Sequence, residues 1–462
     1  MKRLAVLVLL LLLTAACGGG SDQQQNNNSS NFDWNSKAPA KPVKVTFWHG
    51  FSAGANQDAV NALATRFNDA HKGEIEVTPV YAGDYDTTFA KLKAAIQSGK
   101  ADQLPSMVQI YDIGTRFMID SQSTTSAQTF IDHEKYSTKD LEPNILGYYQ
   151  INGKLYSMPW NVSTPLLYFN RDAFSEAGLD PNKPPSTLDE LRASAEKLTK
   201  KDASGATVRY GFGAAIYGWF LEQFTARSDQ AYCNNGNGRD KPATKVQFNQ
   251  AVDVKAVDWW ANLVKDGLAL NTGRQTPDAQ NAFKAGKVAM NLESTGTLRG
   301  YQAGAKFQIG TAPYPKVDNS AKGGGTIIGG ASLWVLNKRP AYEQKAAWEF
   351  EKFLEQGDSM AYWHTHTGYF PVDKKALDDP TDKEWVAKYP QFKTAIDQLH
   401  STKLDKATQG CLLGVMPATR QAAEVGMETA ITGKAPAKKA MDDAAANIQA
   451  QIDQYNQATS GS

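Results

Sequence analysis

The 462-residue chain reads as an α/β protein built on a parallel, doubly wound sheet and long enough for two lobes. Three observations predict this. The first folded stretch alternates strand and helix patterns in the order β-α-β-α-β, which calls for right-handed crossovers and parallel strands. A second α/β block follows it. After a polar N-terminal stretch, roughly 420 residues remain, more than one hydrophobic core usually serves.

The elements follow from their periods. Val43, Val45 and Phe47 alternate with Lys44 and Thr46, as in a half-buried strand. Val60, Leu63, Ala64 and Phe67 then share one helical face. Ile75 and Val77 open a second strand, Phe89, Leu92 and Ile96 stripe a second helix, and Ser106 to Tyr111 is a third strand. Ligands of such sheets sit beyond the carboxyl ends of the strands. Those ends carry Trp48-His49-Gly50, Tyr85 in a Gly83-Asp84-Tyr85 turn, and Asp112.

In the second block, Thr187 to Glu190 has the spacing of a capping box ahead of Leu188, Leu191, Ala195 and Leu198. Val257, Trp260 and Val264 form a stripe that stops near Gly267, and Phe283 to Met290 reads as helix end, turn and strand. Ile327 to Leu336 is an apolar strand interrupted by glycine. A helix after Pro340 carries Ala347, Phe350 and Leu354, and a long closing helix carries Met441, Ala445, Ile448, Ile452 and Tyr455. No internal repeat is visible.

The N-terminus has a basic Met1-Lys2-Arg3 start, an apolar run from Leu4 to Leu13, small residues at 14–16, and Cys17. The run is too short for a membrane span and has the plan of a secretory signal. It resembles a bacterial lipoprotein signal, 1–17, whose terminal cysteine thiol takes the lipid, although Thr14 stands where the pattern usually has leucine. Residues 18–41, rich in Gly, Ser, Gln and Asn, read as a flexible tether. The protein is thus expected outside the cytoplasm, anchored to a membrane. Beyond Cys17 only Cys233 and Cys411 remain. In an oxidising compartment they invite a disulfide, and buried free thiols are the alternative.

A formal net charge of +1 argues against a nucleic-acid partner, which would favour a clustered basic excess. The sequence contains no Walker loop, no HExxH and no GxSxG; Gly329 to Trp334 fails the last pattern. His364 and His366 form the only close histidine pair, and on a helix they would not face each other. No metal site and no cofactor are expected.

Several segments resemble the extracytoplasmic solute-binding proteins of bacterial ABC importers, and among them the branch that binds sn-glycerol 3-phosphate. They are Thr46 to His49, Gly83 to Tyr85, Gln109 to Asp112, Ser163 to Phe174, Ala177 to Pro181, Ile327 to Trp334, Thr367 to Pro371, and Gly414 to Pro417 with Arg420. They run in family order along almost the whole mature chain.

The resemblance implies a class II periplasmic-binding-protein fold of two hinged lobes, 42–163 with 331–375 and 164–330 with 376–458. Its ligand would lie in the cleft between them. It further implies a monomer that carries out no chemistry, binds a small molecule and hands it to the permease. Position by position it gives Tyr85, Asp112, Ser163, Ser294, Gly330, Tyr369 and Arg420 as ligand residues, with Trp219 as a flanking aromatic.

Arg420 is the one cation of that set, suited to phosphate as a fork of charge-assisted donors. Ser163, Ser294 and the Gly330 amide would add donors. Asp112, acceptor-only when ionised, would take a glycerol hydroxyl. Tyr85 and Tyr369 would offer hydroxyls and flat walls. Two positions depart from the family: Asp112 stands where it usually has Glu, and Ile216 replaces the first of two aromatics. These changes, at the polyol end of the pocket, leave glycerophosphodiesters open as ligands beside glycerol 3-phosphate, and Trp48, Trp160, Trp219 and Trp334 keep open a maltose- or trehalose-type sugar receptor. A secreted hydrolase and a sensor presenting its ligand to a membrane kinase are the readings from other classes.

Overall fold

Two mixed sheets organise the chain. The computed structural model describes residues 32–320 and 323–460, so the signal, Cys17 and most of the expected tether lie outside the described residues. The first sheet holds β1 (Val43–His49), β2 (Ile75–Tyr81), β3 (Met107–Tyr111) and β4 (Met158–Ser163). The second holds β5 (Pro165–Asn170), β6 (Thr207–Ala214), β7 (Ala269–Asn271), β8 (Val288–Ser294) and β9 (Ile309–Pro313). The chain then returns to the first sheet as β10 (Gly329–Leu336).

In the first sheet β1 runs parallel to both β2 and β3, with Val43 opposite Ile75 and Phe47 opposite Met107. This is the parallel core that the alternation predicts. β10 then joins antiparallel to β3, placing Ala331 opposite Tyr111, and antiparallel to β4, placing Gly329 opposite Ser163. The second sheet repeats the plan: β6 is parallel to β7 and β8, and β5 lies antiparallel between β8 and β9. Each sheet therefore has a parallel half made by crossover helices and an antiparallel half centred on a strand that arrives from the other sheet, β10 in the first and β5 in the second.

The helical stripes bury as their period requires. The helix Ala55–Ala70 puts Val60, Leu63, Ala64 and Phe67 inside, and Phe67 meets Phe350 edge-on at 5.0 Å. Burying each such large side chain contributes about 1.5–3 kcal/mol. The helix Tyr85–Ser98 starts one residue earlier than the turn reading suggests. Asp84 caps it by accepting the Thr87 amide, so Tyr85 sits in the first turn, at the end of the sheet. Thr187 caps the helix Leu188–Leu198 by accepting the Glu190 amide, and Glu190 reaches back to Ser186.

Thr164, fully buried, is the whole link between β4 and β5. Its hydroxyl receives Gln398 at 2.8 Å and contacts Thr326 at 3.1 Å, and its carbonyl accepts the Thr295 amide at 3.0 Å. His364 is buried against Asp382 at 2.6 Å, while His366 turns to the Tyr362 carbonyl. The pair thus serves packing.

Two local findings extend the sequence reading. The expected tether does not run free to residue 41. Trp34 stacks on His133 with ring centroids 3.5 Å apart, and Lys345 donates to the carbonyls of Trp34 and Ser36. Cys233 and Cys411 are joined by a disulfide across 178 residues of sequence. Beside it, the Asn237 carbonyl accepts the Leu412 amide and the Asn237 side chain accepts the Cys233 amide.

The helix Ala341–Leu354 ends on two buried carboxyls. Glu351 and Glu355 are each 1 % exposed. Neither Glu355 oxygen, nor Oε1 of Glu351, has a hydrogen-bond partner among the described residues. Burial pushes both well above the usual carboxylate range, and for Glu355 the neighbouring Glu351 and Asp373 push the same way.

Two predictions follow from these features. Replacing Cys233 and Cys411 by serine should cost about 2–5 kcal/mol by freeing a long loop in the unfolded chain, read as a lower denaturation midpoint. Glu351 and Glu355 hold protons in the folded state that the unfolded chain releases near pH 4.3. Stability should therefore fall as pH rises above that value. Thermal melts from pH 5 to 8 should show this slope, and Glu351→Gln/Glu355→Gln should flatten it.

Candidate functional site

The carboxyl ends of the two sheets face one cavity of about 1130 Å³. All eight ligand residues expected from the sequence, Tyr85, Asp112, Ser163, Trp219, Ser294, Gly330, Tyr369 and Arg420, line it. They come from distant parts of the chain and meet because the antiparallel strands bring the ends of both sheets together.

The first-sheet wall is built on a relay of hydrogen bonds. The Gly50 amide donates to Gln109 Oε1 at 2.7 Å, Gln109 Nε2 to Asn161 Oδ1 at 2.7 Å, and Asn161 Nδ2 to the Tyr85 hydroxyl at 2.8 Å. Three successive donors thus fix the Tyr85 ring. Burial, and then the neighbouring Tyr369, push the Tyr85 hydroxyl well above its ordinary range, so it is a neutral O–H. Tyr369 lies almost parallel to Trp363, 5.6 Å away. Its ring also covers Gly296 so closely that a Cβ there would sit 2.5 Å from it.

Gly330 has φ +90°, and a Cβ would stand 1.9 Å from the Asn161 carbonyl oxygen. Only glycine fits this position, where β10 enters the first sheet. Ser163, 3 % exposed, stands at the end of β4. The Ser294 hydroxyl accepts the Gly296 amide at 3.1 Å, which leaves its proton available to the cleft. Trp219 lies against Gly329, and its indole N–H is buried without a hydrogen-bond partner among the described residues.

Arg420 is the electrostatic centre, and its setting differs from that of a free phosphate clamp. It is 3 % exposed. Its Nε donates to Glu222 Oε1 at 2.8 Å and its Nη2 to Asp112 Oδ2 at 3.1 Å. Nη1 reaches the Tyr217 hydroxyl only at 3.5 Å, and is the edge with donors to spare. Burial works against the charge, but Glu222 and Asp112 outweigh it and hold Arg420 well above its usual range. Burial raises Asp112 and Glu222, opposed in both by Arg420. One cation between two carboxylates leaves a formal surplus of negative charge, so the guanidinium orients more than it neutralises. Asp112, assigned to a hydroxyl from the sequence, also spends one oxygen on this pair.

Sequence reasoning missed Glu222, Tyr217, Asn161, Glu293 and Glu424. Glu222 left a signal: it is a lone charge in the apolar run Trp219 to Phe224, and a charge buried there needs a partner. Ile216 is buried in the core while its neighbour Tyr217 faces the cleft, 6.4 Å from Trp219 between ring centroids. Two aromatics, Tyr217 and Trp219, therefore line the cleft together. The broad tryptophan platform of a sugar cleft is not formed: Trp160 and Trp334 are fully buried, and of the four candidates only Trp219 lines the cavity.

The sequence profile described as bacterial extracellular solute-binding protein matches residues 62–394. The sn-glycerol-3-phosphate-binding periplasmic protein UgpB of Pectobacterium atrosepticum is 32% identical over 422 residues, 90% of this chain and 92% of that protein. Its Escherichia coli K12 counterpart is 32% identical over 87% of this chain and 90% of its own length. The crystal structure of UgpB from Mycobacterium tuberculosis in complex with glycerophosphocholine superposes with a TM-score of 0.74 at 24% identity, over 89% of this chain and 99% of that one. This chain belongs to the bacterial extracellular solute-binding proteins.

Proposed function

We propose that this chain is the lipid-anchored receptor of an ABC importer whose cleft takes sn-glycerol 3-phosphate or a glycerophosphodiester. The observation that carries the reading is the convergence of eight separated residues on one cavity around a buried, oriented guanidinium. The curated relatives named for sn-glycerol 3-phosphate support the choice of ligand.

The phosphate meets Nη1 of Arg420 and the hydroxyls of Ser163 and Ser294. The Gly330 backbone, without a Cβ, lets it come close. The glycerol end lies against Tyr85 and Tyr369, with the second oxygen of Asp112 accepting a hydroxyl. Trp219 and Tyr217 flank the remaining group.

Residues 42–163 with 331–375 and residues 164–330 with 376–458 act as two lobes that close about Thr164 and Gly329-Gly330. Ligand bridges them and shifts the open–closed equilibrium, and the permease reads the closed form. Cys17 carries the lipid, the receptor works as a monomer outside the cytoplasm, and the ligand leaves chemically unchanged.

Titration calorimetry of the mature protein with glycerol 3-phosphate, glycerophosphocholine, maltose and trehalose tests this. A phosphate compound should bind and the two sugars should not; binding of the sugars alone would overturn the ligand assignment. Release of choline from glycerophosphocholine would overturn the receptor role in favour of a hydrolase.

Ser163→Ala should weaken the phosphate ligand by about 1.5–3 kcal/mol, the worth of a hydrogen bond to a charged group, with the melting temperature little changed. Arg420→Ala should abolish binding and also destabilise the fold by about 3–5 kcal/mol, because it strands Asp112 and Glu222. Thermal melts beside the titrations separate the two effects.

A further inference from the structure

The cleft holds more negative charge than an anion's receptor needs. Five carboxylates line it against three cations. Two of those cations are already engaged: Arg420 by Asp112 and Glu222, and Arg274 by Glu428. Asp84 caps a helix and Asp86 accepts the Tyr111 hydroxyl at 2.9 Å. Glu293 and Glu424 accept from neutral donors and have no ion pair among the described residues.

Both are held in place by neutral donors. Glu293 ends β8 beside Ser294 and is 3 % exposed. Its Oε1 accepts the Ser294 amide at 2.7 Å and its Oε2 accepts Gln280 at 3.2 Å. Glu424 lies one helical turn beyond Arg420, and its Oε1 accepts the Gly218 amide at 2.9 Å. Both line the same cavity as Arg420, Ser163 and Ser294, the residues given above to the phosphate.

Resting on that reading of the site, we propose that Glu293 and Glu424 set the charge the cleft accepts. They admit the single negative charge of a glycerophosphodiester and turn away the dianion of a phosphate monoester. A monoester carries close to two charges above its second ionisation near pH 6, whereas a diester keeps one. Hydrogen-bond donors in the cleft serve both alike, so the carboxylates are what tells them apart.

The electrostatic setting agrees. Burial pushes Glu293 up to about 7, against the Ser294 amide and Gln280; the other groups facing it are the neutral hydroxyls of Tyr168, Tyr301 and Tyr369. Burial likewise pushes Glu424 up to about 7, against the Gly218 amide, Arg420 and Arg274 and with Asp86. At neutral pH each carries part of a charge. An anion entering beside them drives proton uptake, and a dianion demands more of it.

The test is titration calorimetry of the mature wild type, Glu424→Gln and Glu293→Gln/Glu424→Gln with glycerol 3-phosphate and glycerophosphocholine at pH 6.0 and 8.0. Wild type should prefer the diester at pH 8.0, and the double variant should narrow that preference at least tenfold by binding the monoester more tightly. The proton uptake that accompanies diester binding in wild type, read from buffers of different ionisation heat, should shrink in both variants. Glu424→Gln, at a half-buried position, gives the same readout in smaller measure should the double variant unfold. An unchanged preference, or equal changes for both ligands, would overturn the proposal while leaving the phosphate site intact. Wild type that binds neither compound would overturn the site reading itself, and this proposal with it.

Discussion

Everything in the cleft depends on one buried ion pair network, Asp112–Arg420–Glu222. Its members come from the end of β3, from the helix Met416–Ile431 and from the helix Gly218–Arg227. Charges removed from water this thoroughly must be paired, so the network dictates how the two sheets approach. It places the guanidinium with one edge toward the cavity and two edges spent. A receptor that offered a naked arginine would grip any anion. One whose arginine is already matched holds a ligand by shape and by the direction of a few donors, and discriminates accordingly.

The glycines around the cleft serve the same end by steric means. Gly330 lets β10 pass within touching distance of the Asn161 carbonyl, and Gly296 lets the Tyr369 ring lie flat on the backbone. Both keep the walls close enough for backbone and ring to act as ligand surfaces. The Gly50–Gln109–Asn161–Tyr85 relay adds the orientation that packing alone would not give. The Tyr85 wall is thus ordered by the fold itself, which lowers the entropy cost of binding against it.

Much of this was legible in the sequence because it rests on local signals. The first β-α-β-α-β run has clean periods of 2 and 3.6, and β1, β2 and β3 fall within two residues of where those periods put them. Tyr85 and Asp112 could be picked from strand ends alone. The antiparallel halves were not legible: β10 is read as a strand and β4 is not, and nothing local says that a strand more than 160 residues away lies beside Ser163. Partners such as Glu222 and Asn161 escaped for the same reason, since their meaning lies in a contact across the fold. Tyr217 shows the limit of matching by position. A one-residue shift along an irregular stretch turns the core residue into the wall.

The disulfide bears on how the molecule is made. Cys233 precedes Cys411 by 178 residues, and between them the chain leaves the second sheet to lay β10 into the first. A polypeptide delivered from its N-terminus presents Cys233 long before its partner exists, so both sheets must be drafted before the bond can close. Three cysteines admit three pairings. The fold selects one of them, with the Cα atoms of Cys233 and Cys411 5.8 Å apart.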